Sequence, residues 1–253
     1  MDLLVVKLVV TPLLIAGVTL AGRRWGPSAS GWLSGLPLTS APISTYLALE
    51  HGTGFAAAAA EGIFPGLIAG AAFYVAYAHA SRRLRWPAAL AVALVVLVAC
   101  AAALQGLRLG LGAWVMLAVL AHLVGLLLTP RVSGPTPLAR PAWWDLPARM
   151  VVATGMVLLV TYAARDLGPF LSGLVSPFPA FVITLLVFVH QQLGSNAAIR
   201  LLRGVLISSF AFIAFFVAVA LGLPIWGLLG GYAAACAAAM AVQGVLAIAV
   251  RRR

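Results

Sequence analysis

GPFLSGLVSPFPAF, residues 168–181, and GWLSGLPLTSAPI, residues 31–43, are two renderings of one pattern. Each is an apolar segment interrupted by at least two prolines, a glycine and a few hydroxyls. Both contain Leu-Ser-Gly-Leu, at Leu33–Leu36 and Leu171–Leu174. Both lead into an apolar run, Ile43–Leu49 in one and Phe181–Val189 in the other. A proline inside a helix removes a backbone hydrogen bond and clashes with the preceding turn, at a cost of about 3 kcal/mol in water. In hydrocarbon the released carbonyls must find partners in protein or in a wet cavity. Two interruptions close together, occurring twice in one chain, predict a broken helix in each of two related halves.

The surroundings of these stretches fix the solvent. Hydrophobic residues make up 64% of the 253-residue chain and charged residues 8%, with a mean hydropathy of +1.11. No soluble domain of this size covers so much apolar surface with so few charges, so composition predicts an all-α polytopic membrane protein. A spanning barrel needs short segments of alternating polarity, which this sequence lacks.

A spanning helix needs about 20 apolar residues. Nine stretches meet that length: 3–21, 28–50, 55–79, 87–105, 109–129, 148–166, 168–191, 198–222 and 225–250. The first ends in Thr-Leu-Ala-Gly, which resembles the end of a signal peptide, but it opens with Asp2 rather than a basic cluster and is followed by Arg23-Arg24. It reads as a retained anchor.

The net charge of +11 would suggest a nucleic-acid partner in a soluble protein. Here the cations fall in short loops. With the N-terminus outside, thirteen of the 16 Lys and Arg residues lie on the inner side, and Lys7, Arg108 and Arg165 do not. This is the positive-inside pattern; it predicts nine spans with the C-terminus in the cytoplasm and no nucleic-acid partner. The loop 130–146, rich in proline and carrying Trp143-Trp144, separates five spans in 1–129 from four in 147–253.

Spans 1, 2 and 3 match spans 6, 7 and 8 in order. Glu50-His51-Gly52 corresponds to Gln191-Gln192-Leu193-Gly194, and the pairs Glu61-Gly62 and Arg203-Gly204 each follow nine and ten residues after the glycines. The first copy is about one helical turn shorter within the interrupted segment. Because five spans precede the second copy, it enters the membrane from the opposite side. The expected architecture is therefore two inverted-topology repeats with broken spans 2 and 7, an arrangement many secondary transporters use.

From about Tyr162 to Leu223, the run SGLVSPFPAF followed by Val189-His-Gln-Gln-Leu-Gly194 resembles the GlpM family of small bacterial inner-membrane proteins. That resemblance covers one repeat, about a quarter of the chain. It implies a broken-helix membrane fold and location in a bacterial inner membrane, but no activity. The first copy departs from it at Gly35–Pro42.

The interrupted segments supply the candidate substrate-binding residues: Ser34, Gly35, Pro37, Thr39, Ser40 and Pro42, with Ser172, Gly173, Ser176, Pro177 and Pro179. Hydroxyls beside broken backbone can either replace lost hydrogen bonds or, with half-helix N-termini, hold a polar or anionic group. Glu61 is the carboxylate set deepest in an apolar run. It is expected to serve as a proton- or cation-coupling residue, or to reach the outer interface near Glu50 and His51. His122, within Leu117–Leu128, is either a pore residue or a core histidine bonded to a carbonyl. Gly62, Gly66 and Gly70, and Gly106 with Gly110, have the four-residue spacing of close helix packing.

Cys100 and Cys236 stand singly, without metal-ligand spacing, and no nucleotide loop, catalytic triad or carboxylate pair occurs. The sequence therefore predicts a carrier of a small polar, anionic or lipid-linked substrate, with membrane lipid as its surroundings, no cofactor and no enzymatic activity. An oligomer is compatible with it. The alternative is a non-transporting membrane subunit that scaffolds an envelope lipid or polysaccharide enzyme.

Overall fold

The computed structural model describes residues 3–34, 37, 40–133, 143–164 and 180–251. Among these residues every regular element is a helix. The helices are α1 (Leu3–Trp25), α2 (Pro27–Ser34), α3 (Ser40–His51), α4 (Thr53–Ala80), α5 (Trp86–Gln105), α6 (Leu111–Leu128), α7 (Asp145–Ala164), α8 (Ala180–Leu193) and α9 (Ser195–Arg251). Helix occupies part or all of each predicted apolar stretch. Among the described residues four helices, α4, α5, α6 and α9, are long and apolar enough to cross a membrane.

Glycines set the joints. Gly26, Gly52 and Gly194 have φ of 91°, 87° and 82°, a region that side chains with a Cβ rarely enter. Each donates its N–H to the carbonyl four residues back: Gly26 to Gly22 at 2.8 Å, Gly52 to Ala48 at 3.1 Å and Gly194 to His190 at 3.0 Å. This closes one helix on a left-handed glycine. The next helix follows at once after Gly52 and Gly194, where Ala56 and Ala198 donate back to the glycine carbonyls at 3.2 Å each.

α9 is 57 residues long, about 85 Å if straight, nearly three times a hydrocarbon core. It is not straight, because Gly227 takes φ 65° and ψ −167°. A Cβ built on Gly231 would lie 3.0 Å from the Cα of Leu223, and one on Gly222 would lie 3.4 Å from the Cα of Gly231. Residues eight apart in a straight helix are separated by about 12 Å. The chain therefore doubles back at Gly227 into two antiparallel arms, matching the predicted division between 198–222 and 225–250.

α4 and α9 form the centre. One core cluster joins Ile15 and Val18 of α1, Phe73 and Tyr77 of α4, Leu185 and Leu186 of α8, and Leu201 and Leu202 of α9. A second joins Phe64 of α4, Trp114 and Ala118 of α6, and Phe215, Phe216, Ala235 and Ala239 of α9. α1 packs on α7, and α2 packs on the first arm of α9. That last contact is backbone on backbone. A Cβ on Gly31 would fall on the carbonyl oxygen of Leu201, and one on Gly204 would fall on that of Ser28 and 2.9 Å from the nitrogen of Trp32.

The small-residue expectation was therefore placed on the wrong helices in part. Gly106 and Gly110 are exposed, with open space where a Cβ would stand, and Gly70 would meet only the Tyr74 hydroxyl at 4.0 Å. Gly62 and Gly66 are buried. The four-residue spacing marks one face of one helix; it does not say whether another backbone comes near.

Toward the outside, α5 buries only Ala89, Ala93 and Leu97, and α6 only Trp114, Ala118, His122 and Gly125. The remaining faces are apolar and open: Val95 is 68% exposed, Leu127 79% and, on the second arm of α9, Leu229 86%. Faces this apolar suit hydrocarbon rather than water.

Candidate functional site

The described residues around the first interrupted segment include two helices. α2 ends at Ser34, α3 begins at Ser40, and Pro37 between them is buried and non-helical. The Pro37 carbonyl still accepts the Ala41 N–H at 2.8 Å, so it starts the next helix. Ser40 and Ser44 are buried on α3. The Ser44 hydroxyl lies 2.8 Å from that of Tyr232 on the second arm of α9, and the Thr45 hydroxyl donates to the Ala41 carbonyl at 3.0 Å. On the other side of the segment, Ser208 of α9 donates to the Gly31 carbonyl at 3.5 Å.

Of the remaining predicted site residues, Ser34 closes α2 and Pro42 lies in the first turn of α3. Gly35, Thr39, Ser172, Gly173, Ser176, Pro177 and Pro179 lie outside the described residues. Glu61 is exposed on α4, two turns past Gly52. His122 is fully buried; its Nδ1–H donates to the Ala118 carbonyl at 2.8 Å, and its ring meets Phe210 edge-on. Of the two sequence readings, the carbonyl-bonded core histidine is the one the geometry displays. Its Nε2 has no partner.

A second polar centre escaped the sequence reading, which assigned its members to loops and span ends. Asp145, the first residue of α7, has a side chain only 1% exposed. Arg23 at the end of α1 donates to its Oδ2 at 2.8 Å, and the Nε of Arg149, one turn on in α7, donates to both oxygens at 3.1 and 3.2 Å. Gln192 of α8 donates through Nε2 to Oδ1, while its own Oε1 accepts from Arg149 at 3.0 Å. The Arg149 guanidinium also lies 4.7 Å from the centre of the Phe188 ring. Every oxygen of Asp145 is met, and three helices are joined.

Burial alone would raise the Asp145 carboxyl. The hydrogen bonds from Arg23 and Gln192 and the charge of Arg149 outweigh it, and the group lies below its ordinary range. Nearby at the same end, Tyr77 bonds His190 Nδ1 at 2.8 Å, His79 Nε2 bonds the Leu128 carbonyl at 3.0 Å, and Arg203 donates to the carbonyls of Leu126 and Thr129 at 3.1 and 2.6 Å. Arg203 thus closes the carbonyl end of α6, where a cation is favoured. The readable trace of the Asp145 centre was the spacing of Asp145 and Arg149, four apart, which on a helix makes an ion pair. Among the described residues no group of three or more His, Cys, Asp or Glu could hold a metal ion.

No protein-family profile, no characterised protein and no solved structure matches this chain.

Proposed function

We propose that the chain is a secondary transporter or flippase-like carrier in a bacterial inner membrane, working on a small polar or lipid-linked substrate. One observation carries the reading: Pro37 is buried and non-helical between α2 and α3, in the stretch 28–50 that we read as the second span. Broken backbone at that depth persists where protein or a wet cavity satisfies it, and such cavities are where carriers bind. Ser40 and Ser44 are buried on α3, three and seven residues past it.

The same proposal includes two inverted-topology repeats. Supporting this, Gly52 and Gly194, which the alignment of the two halves pairs, close α3 and α8 with the same hydrogen bond and nearly the same φ. Kinship with the GlpM family belongs to the proposal as well and rests on the motif in residues 162–223. The Asp145 centre would hold α1, α7 and α8 together at the cytoplasmic end.

Purified protein in proteoliposomes, offered radiolabelled polar metabolites and fluorescent lipids, tests the reading. Movement of one probe above that in empty liposomes, lost when Ser40 and Ser44 are both replaced by alanine, is the expected result. Absence of all movement, together with co-purification of an envelope enzyme, would favour a scaffolding subunit instead.

A further inference from the structure

Gln243, on the second arm of α9, is only 8% exposed, and neither its Oε1 nor its Nε2 has a hydrogen-bond partner. A buried carboxamide left without partners loses the hydrogen bonds water would give it. It is also a ready-made pair of one acceptor and two donors.

Its position follows from the hairpin. Tyr232, Ala235, Ala239 and Gln243 recur at three or four residues, and the last three are buried, so they share the inward face of this arm. Tyr232 meets Ser44 of α3 at 2.8 Å. From the glycine turns at Gly52 and Gly227, following α3 backward and the arm forward leads in the same direction. Pro37 lies seven residues from Ser44, and Gln243 eleven from Tyr232, about 16 Å along the arm. With Leu223 against Gly231, the hairpin register sets Gln243 level with Ala211, three residues from the Ser208 that reaches Gly31. In depth, the non-helical Pro37 is therefore bracketed by the Tyr232–Ser44 pair on one side and by Gln243 on the other.

Along α9, charge is distant from this level. On α9, Arg203 and Arg251 each stand eight residues away in the hairpin register, about 12 Å, and Glu61 is exposed on α4.

We propose that Gln243 is a ligand-contact residue of a membrane-interior site beside the non-helical Pro37, deeper than the Tyr232–Ser44 pair, and that this site takes an uncharged group bearing both a donor and an acceptor, such as an alcohol or an amide. This rests on the carrier reading and narrows its substrate class to neutral polar compounds.

The test starts from full-length protein with Cys100 and Cys236 replaced by alanine, carrying Gln243→Cys, Ser40→Cys or, as a lipid-facing control at the depth of Gln243, Val245→Cys. The probes are the neutral hydroxyethyl, cationic trimethylammonium-ethyl and anionic sulfonatoethyl methanethiosulfonates, with rates scaled to a free thiol. Only a thiolate reacts, and a thiol in apolar surroundings stays protonated, so Gln243→Cys should outpace Val245→Cys by about tenfold or more with the neutral reagent. The neutral reagent should also outpace both charged ones. Equal rates for Gln243→Cys and Val245→Cys overturn the assignment of Gln243. If Ser40→Cys still reacts in that case, the carrier site stands without Gln243. If neither reacts, the segment is dry and the carrier reading falls with it. Preference for either charged reagent overturns the neutral class. Gln243→Leu gives a labelling-free check, since loss of an unpartnered carboxamide should leave the unliganded Tm unchanged or higher. A fall of more than about 3 °C, the effect of roughly 1 kcal/mol, would show that the fold itself uses the amide.

Discussion

Arg23 and Asp145 are 122 positions apart in sequence, and their side chains meet at 2.8 Å. The contact ties the end of α1 to the first turn of α7, and through Gln192 to α8. Its members differ in exposure, which separates their expected energetic roles. Arg23 is about one-third exposed at the rim, whereas Asp145 and Arg149 are buried.

Removing one partner of a buried pair leaves the other charge without compensation, at a cost of about 3–5 kcal/mol, while replacing both with apolar residues is often neutral. Asp145→Asn should therefore lower the Tm of the detergent-solubilised protein markedly, and Asp145→Leu combined with Arg149→Met should recover most of the loss. Arg23→Ala should cost about 1 kcal/mol or less, as rim pairs do. A Tm unchanged by Asp145→Asn would mean that the centre contributes nothing to the fold.

The same carboxylate sets a pH dependence. Its folded pKa lies below the ordinary 3.8, so the folded state holds the ionised form more tightly than the unfolded state does. That contribution is complete above the ordinary value and is lost as pH falls through the lowered one. The Tm of the wild type should run parallel to that of Asp145→Asn above the ordinary value and fall more steeply than it as pH drops below 3.8, the two curves drawing together at the acid end. Parallel curves would assign the acid sensitivity to other groups.

The helices were legible in the sequence. Predicted stretches at 55–79 and 87–105 correspond to α4 at Thr53–Ala80 and α5 at Trp86–Gln105, because a long apolar run bounded by glycine, proline and arginine leaves little choice. The Asp145 centre was hidden for a physical reason: in a membrane protein, cations near span ends are ordinarily anchors, and only the fold shows which one faces a carboxylate. Asp145 itself was placed in the loop, although an acidic first residue with Pro147 soon after suits a helix N-terminus. Gly31 and Gly204 carried no spacing signal, since each one's close neighbour belongs to another helix. Gln243 is a single amide in an alanine-rich run, and nothing local marks it as unpartnered.

At Gly31 and Gly204 the α2–α9 contact leaves no room for a methyl group, and the atoms in the way are backbone. A Cβ at either position forces the helices apart, so Gly31→Ala and Gly204→Ala should each destabilise by about 1–3 kcal/mol, the usual range for overpacking. Gly17→Ala, in α1 with open space around the position, should be neutral or slightly stabilising, since alanine suits a helix better than glycine. Thermal unfolding of the three variants side by side makes the comparison. Equal Tm values would mean that α2 is not held against α9 in the membrane.

If the two halves are inverted repeats, the matched turns at Gly52 and Gly194 stand on opposite faces of the membrane. Gly54 and Asn196, two residues past each turn, are exposed, and a Cβ on Gly54 would meet nothing within 4 Å, so cysteine fits there without disturbing the packing. In protein with Cys100 and Cys236 replaced by alanine, an impermeant maleimide applied to intact cells should label Gly54→Cys and should reach Asn196→Cys only after the membrane is opened. The cation distribution sets the direction, with the Gly52 turn outside and the basic end inside. Labelling of both positions from the same side would place the turns on one face. The pairing of Gly52 with Gly194 would then reflect only a shared way of ending a helix, and the two-fold relation on which alternating access depends would be lost.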